Sequence, residues 1–300
     1  MKHLLTIEQL SAAEIAEVLE LSRAVKAGRG KPSADLPLKG QTWGLIFSKA
    51  STRTRVSFEV GIRELGGSSL YLSANDIQLG RGETVGDTAR VLSRYLHGVI
   101  IRTFAQEDVE EFAECGTIPV INALTDEEHP CQILADLFTI QEKLGGLKGK
   151  RITFTGDGDC NVARSWIFAA AKTGMSLTIA APAGYQPRPA LLERAGGDIH
   201  VTDDINAAAK DADVLYTDVW VSMGKEGESV DRLRVLAPYQ LNGEVAAHAK
   251  PKALVMHCLP AYRGKEISAE LLDANLQDIF DQAENRLHAQ KAILTLLVKK

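Results

Sequence analysis

Cysteine is scarce in this chain: Cys115, Cys131, Cys160 and Cys258 are the only four among 300 residues, and they are widely scattered. Such spacing forms neither a disulfide framework nor a paired Cys/His zinc pattern, and no H-E-x-x-H helix accompanies it. No apolar run approaches the roughly 20 residues needed to cross a bilayer, and nothing resembles a signal peptide. Positive charge is not in excess, since 34 Lys and Arg face 39 Asp and Glu for a net charge of -5. That balance argues against a broad nucleic-acid surface but leaves room for a local basic pocket. Internal repeats, low-complexity tracts and the G-x-x-x-x-G-K-[ST] phosphate loop are also missing. The expectation is a reduced, cytoplasmic protein with no metal, no membrane and no nucleic-acid partner.

Short apolar runs alternate with amphipathic stretches, the pattern of α/β folds with parallel sheets. Strands are expected at 43–47, 98–102 and 118–122, then at 151–156, 176–180, 213–218 and 253–258, with a further candidate at 277–281. Pro130 suits a helix start and Gly145-Gly146 its stop. A boundary near there gives two domains, 1–147 and 148–300, with a final helix over about 282–299 that packs back on the first domain. The expected fold class is α/β, each domain carrying a mainly parallel sheet flanked by helices, with the active site in the cleft between them. Ligands of open α/β sheets bind beyond the carboxyl ends of the strands. The polar residues there are Ser51, Thr52, Arg53, Thr54, Arg55, Arg102, His129 and Gln132 in the first half, and Asn161, Asp218, His257 and Cys258 in the second.

"SKASTRTRVSFEVG" (48–61) puts Arg53 and Arg55 at a helix start, where the macrodipole favours acidic residues. Helix-start N–H groups, the hydroxyls of Ser51, Thr52 and Thr54, and a guanidinium would make a phosphate cradle. The alternative is that both arginines pair with surface carboxylates. "TGDGDCNVARS" carries Gly156 and Gly158 like a dinucleotide loop, yet Asn161 replaces the third glycine and no acidic residue ends the next strand. His257 and Cys258 are adjacent on a strand and point to opposite faces, which disfavours a nucleophile pair. Cys131 reads as a buried packing thiol.

Taken together and in order, "STRTR", "HPCQ", "DVWVSMG" and "HCLPAYRG" resemble the aspartate/ornithine carbamoyltransferase family over nearly the whole chain. The resemblance implies transfer of the carbamoyl group of carbamoyl phosphate to the δ-amine of L-ornithine, giving citrulline and phosphate, within arginine metabolism. It makes the first domain the carbamoyl-phosphate-binding one and the second the ornithine-binding one. It assigns Ser51, Thr52, Arg53 and Thr54 to the phosphate, Arg102 to phosphate and carbonyl oxygen, and His129 and Gln132 to the carbamoyl end. Arg286 reaches carbamoyl phosphate from "AENRLHAQ". Gln78, in "DIQLGRGE", is lent by a neighbouring subunit, which implies a homotrimer or an assembly of trimers. Asn161, Asp218, Ser222 and Met223 match the ornithine positions, and Cys258 and the backbone of Leu259 face the reacting amine and the carbamoyl nitrogen. Arg102, His129, Asp218 and Cys258 are the catalytic set, and no cofactor is implied.

Aspartate-using relatives carry H-P-L-P and a lysine in the Gln78 loop, whereas this chain has "HCLP" and "NDIQLGRGETVGD". N-acetylornithine enzymes lend a tryptophan from that loop, and none lies between Trp43 and Trp166. Departures from the family pattern are Ser48 in place of Glu, Cys160 beside Asn161, and Arg164, a cation that bears on substrate preference if it faces the ligand. Asn161 could instead cap the following helix. A carbamoyltransferase for putrescine or an acylated ornithine, and a silent carbamoyl-phosphate-binding protein, remain as alternatives.

Overall fold

The computed structural model describes residues 1–31, 35–73, 82–221 and 229–299. The chain divides into two compact units, Met1–Phe138 with Asn285–Lys300, and Thr139–Glu284. Unit 1 opens with α1 (Ala12–Ala27) and continues through β1 (Thr42–Phe47), α2 (Thr52–Glu64), β2 (Ser68–Ser73), α3 (Val85–Leu92), β3 (Gly98–Arg102), α4 (Gln106–Cys115), β4 (Val120–Leu124) and α5 (Pro130–Leu144). Unit 2 holds β5 (Arg151–Thr155), α6 (Asn161–Thr173), β6 (Ser176–Ala180), α7 (Pro189–Ala195), β7 (Asp198–Thr202), α8 (Ile205–Ala209) and β8 (Val214–Thr217). It continues with α9 (Ser229–Leu236), α10 (Gly243–Ala246), β9 (Leu254–His257) and α11 (Ala269–Ala274). The last helix, α12 (Leu276–Val298), begins in unit 2 and belongs to unit 1 from Asn285, while α5 passes to unit 2 at Thr139.

Both sheets are parallel, in the orders β2-β1-β3-β4 and β7-β6-β5-β8-β9. Their central strands are apolar because helices cover both faces. The edge strands β2 ("SSLYLS") and β7 ("DIHVT") are half-exposed and polar, and for that reason the apolar-run criterion passes over them. The strand expected at 118–122 sits two residues later; the carbonyl of Pro119 still accepts from Val99, but proline has no N–H to give the ladder. The candidate strand at 277–281 is instead the first turn and a half of α12. Ile279 is buried and the adjacent Phe280 exposed there, and helical periodicity continues into the buried Leu287, Ile293 and Leu294.

Ser11 starts α1 through a capping box with Glu14. In unit 1, α12 docks on α2, where Gly61 admits the stems of Leu287 and Lys291 and Lys291 Nζ meets Glu64 Oε2 at 2.8 Å. In unit 2, Tyr216 stacks on Phe154 and meets Trp166 edge-on, both at 5.6 Å between centroids. Gly98 opens β3 opposite Trp43 of β1, and a Cβ there would stand 2.4 to 2.6 Å from the fully buried indole. Gly98→Ala is therefore expected to cost about 1–3 kcal/mol of stability by overpacking. Urea denaturation would show it as a lower midpoint at unchanged slope, and an unchanged midpoint would refute the close packing.

Candidate functional site

In each sheet the strand order reverses once in the interior, between β1 and β3 in unit 1 and between β5 and β8 in unit 2. Such reversals are where open α/β sheets bind ligands, because the connections leave in opposite directions and open a crevice at the carboxyl ends. In unit 1 the two strand ends are held together, Ser48 N donating to the carbonyl of Arg102 at 2.8 Å. Ser51 is the N-cap of α2, and its Oγ accepts from Thr54 N at 3.3 Å. No acidic residue lies in the first turn to offset the positive helix end. The two arginines of "STRTR" part company. Arg55 Nε bonds Glu59 at 2.9 Å and its guanidinium lies 3.7 Å from the Tyr71 ring centroid, so Arg55 takes the surface-carboxylate role. Arg53 is exposed and forms no ion pair with a described residue.

Thr54 is fully buried, and its Oγ1 accepts from Arg286 Nη2 at 2.8 Å, which brings α12 to the start of α2. Arg102, Arg286 and His129 are buried at 9%, 4% and 5% exposure. Burial above all, then the charges of Arg286 and Arg102, push the His129 pKa well below its usual value of 6.5. Burial and the two cations thus favour a neutral imidazole at His129. Gln132 sits on α5, and its Nε2 donates to the buried Asp136 carboxylate at 2.8 Å. Because a carboxylate only accepts, this bond orients the amide. It leaves Gln132 Oε1 buried with no partner among the described residues. Cys131 is buried, donates to the Asn122 carbonyl at 3.3 Å and has its pKa pushed up to about 12, as suits a packing thiol. Lys49 is buried on Asp126 and 4.2 Å from the Phe104 ring centroid, tying together the loops after β1, β3 and β4.

In unit 2, Thr155 and Thr217 are register partners at the ends of β5 and β8. Asp218 follows β8 at 8% exposure. Its Oδ1 accepts from Cys258 Sγ at 2.8 Å and from Val219 N at 2.7 Å. Burial raises the Asp218 pKa despite these bonds. Asn161 is the first residue of α6, and the cap is Cys160, whose Sγ accepts from Ala163 N at 3.5 Å. The alternative of Asn161 as a helix cap therefore fails. Arg164 forks onto Asp159 through two bonds of 3.0 Å, so its charge is already matched by a carboxylate from the loop before its helix. Arg232 reaches from α9 to pair with the buried Asp157 and donates Nε to the carbonyl of Trp220 at 2.7 Å, linking the segments after β5 and β8. Arg263 pairs with Asp273 on the surface.

Gln78, Ser222 and Met223 lie outside the described residues. The orienting partners Asp136, Asp159 and Asp157 escaped the sequence reading. Only Asp136 left a signal, standing at the i+4 position from Gln132 on one helix. Among the described residues, no three or more His, Cys, Asp or Glu side chains cluster as a metal site would, and no helix is long and apolar enough to cross a membrane.

Residues 2–142 match the family described as aspartate/ornithine carbamoyltransferase, carbamoyl-P binding domain, and residues 148–297 match its Asp/Orn binding domain. An ornithine carbamoyltransferase of Akkermansia muciniphila is 54% identical over 301 residues, covering 99% of this chain and 98% of its own. One from Symbiobacterium thermophilum is 51% identical, with 98% and 97% covered. The solved structure of ornithine carbamoyltransferase from Pyrococcus furiosus superposes with a TM-score of 0.94 at 46% identity, covering 99% of this chain and 97% of that one.

Proposed function

This chain belongs to the aspartate/ornithine carbamoyltransferase family, and we propose that it transfers the carbamoyl group of carbamoyl phosphate to the δ-amine of L-ornithine, giving L-citrulline and phosphate. The observation that carries this reading is the chemistry at the two switch points. One gathers arginines around a neutral imidazole and an open amide oxygen, as an anionic acyl donor needs. The other gathers a buried carboxylate and a thiol, as an amino acid needs.

Ser51, Thr52, Arg53 and Thr54 hold the phosphate, with Arg286 as a second cation. Arg102 spans phosphate and carbonyl oxygen. His129 gives its N–H to that oxygen, and Gln132 Oε1 accepts from the carbamoyl NH2. Asp218 takes the α-ammonium group, with Asn161, Ser222 and Met223 completing the amino-acid site. Cys258 and the backbone of Leu259 face the reacting amine and the carbamoyl nitrogen. Gln78 comes from a neighbouring subunit, so the working form is a homotrimer or an assembly of trimers, and the compartment is the cytoplasm.

The neutral δ-amine attacks the carbonyl carbon, forming the new C–N bond and moving charge onto oxygen, where Arg102 and His129 stabilise it. The C–O bond to phosphate then breaks, phosphate leaves with the electron pair into the arginine cradle, and the nitrogen loses a proton. The amine must be neutral to attack, so citrulline formation is expected to rise from neutral to mildly alkaline pH. A flat profile across that range, with chemistry limiting, would contradict it.

The test is citrulline formation from carbamoyl phosphate with L-ornithine, beside reactions with aspartate, N-acetylornithine and putrescine. Turnover with ornithine alone, lost in Arg53→Ala, is the expected result. Turnover with another amine instead would keep the phosphate site and discard the ornithine assignment.

A further inference from the structure

His257 takes no direct part in the proposed reaction, yet it is an imidazole at 1% exposure at the end of β9, directly before Cys258 and Leu259. Its ring has two partners. Nδ1 lies 2.9 Å from Leu259 N, and Nε2 lies 3.2 Å from Glu266 Oε1. Glu266, also buried, accepts from Tyr262 N at 2.5 Å. The backbone of His257 donates to Gln282 Oε1 at 3.0 Å.

The tautomer follows from these partners. A backbone N–H only donates, so Nδ1 must carry the lone pair and the ring proton sits on Nε2, facing Glu266. The Leu259 N–H is thus bound by the side chain two residues before it. Leu259 itself has φ 56, the left-handed region that a branched side chain rarely adopts. Such a conformation persists only where the surroundings impose it. The imidazole that accepts from its N–H is one such neighbour.

We propose that His257 is a positioning residue for the acceptor amine: through Nδ1 it holds Leu259 in its left-handed turn, and so aims the Leu259 backbone beside Cys258. This deepens the carbamoyl-transfer reading and rests on it. The Glu266 contact serves a separate end, locking the tautomer and the fold of the loop.

The two nitrogens can be replaced one at a time. In His257→Asn the side-chain oxygen falls near the Nδ1 position and can still accept from Leu259 N, while the reach to Glu266 is lost. In His257→Gln the amide extends to the Nε2 position and can still donate to Glu266, while Leu259 N loses its acceptor. Stability and activity should then rank in opposite orders. The Asn variant should melt at the lower temperature, having left the buried Glu266 without its imidazole. The Gln variant should show the lower kcat/KM for L-ornithine, about tenfold or more below the parent, as expected when a partly buried donor loses its acceptor and its backbone is released. Carbamoyl phosphate affinity by calorimetry, which rests mainly on the phosphate cradle of unit 1, should change less than kcat/KM in both. Activity that simply follows stability, or a Gln variant within about threefold of the parent, overturns the proposal. Should the Asn variant not fold, the kcat/KM of the Gln variant, normalised to its carbamoyl phosphate binding capacity, decides by the same criterion. A parent protein that makes no citrulline overturns the underlying functional reading. A parent that makes it while the variants rank by stability overturns the role of His257 alone.

Discussion

Arg102→Ala should lower kcat for citrulline formation by about 10²- to 10³-fold, the usual loss when one preorganised donor to a developing oxyanion is removed. Arg102 ends β3, buried at the switch point and close enough to His129 to lower its pKa. Its backbone carbonyl, which accepts from Ser48 N, is untouched by the substitution, so the junction of β1 and β3 should survive. Urea midpoint and activity should therefore separate, with a modest fall in the first and a large one in the second. Arg102→Lys should recover only part of the loss, since an ammonium is a point charge and lacks the planar fork that spans two oxygens. Removing a neighbouring cation should also let the His129 pKa move up towards 6.5. A kcat within about tenfold of the parent would remove Arg102 from the oxyanion role.

Asp218→Asn should lower kcat/KM for L-ornithine by roughly 100-fold or more, mainly through KM, because it deletes the buried charge that the proposed function sets against the α-ammonium group. The Asp218 pKa is raised by burial. In the parent, KM for L-ornithine should consequently climb on acidification at a higher pH than an ordinary carboxylate would give, and this limb should vanish in the variant. Stability should run the other way. A folded-state pKa above the unfolded one means that the native state binds the proton more tightly, so ionised Asp218 opposes folding at every pH above its folded pKa. The neutral Asn variant should thus melt no lower than the parent at neutral pH while losing ornithine. A variant that is both destabilised and unchanged in KM would make Asp218 a strand-end residue only.

The parts legible in the sequence share a property. The strands β1, β3, β5, β6, β8 and β9 are buried and apolar, so local composition announces them. The edges β2 and β7 are half-exposed and therefore look like loops. Residues 277–281 misled for the opposite reason, since a short apolar run bounded by polar residues fits a strand or a helical turn equally well. Among site residues, Arg53 and Arg55 were indistinguishable by composition. Only the placement of Glu59 one helical turn on, with Tyr71 on the neighbouring strand, assigns Arg55 to the surface. Arg164 was ambiguous until Asp159 took its fork.

By itself the sequence determined the chemical inventory: a helix start rich in hydroxyls and arginine, a histidine and glutamine on one helix approach, a late arginine, and an acid and a thiol at separate strand ends. It also determined the alternation that makes both sheets parallel. Tertiary structure alone decided that β1 neighbours β3 and β5 neighbours β8, which turns two pairs of strand ends into switch-point crevices. It decided that His129 is neutral, that Gln132 presents its oxygen, and that Arg286 reaches Thr54. The reason is physical. Residue identity and local periodicity are carried by neighbours along the chain, whereas strand order, desolvation and hydrogen-bond orientation depend on groups distant in sequence, and these meet only when the core closes.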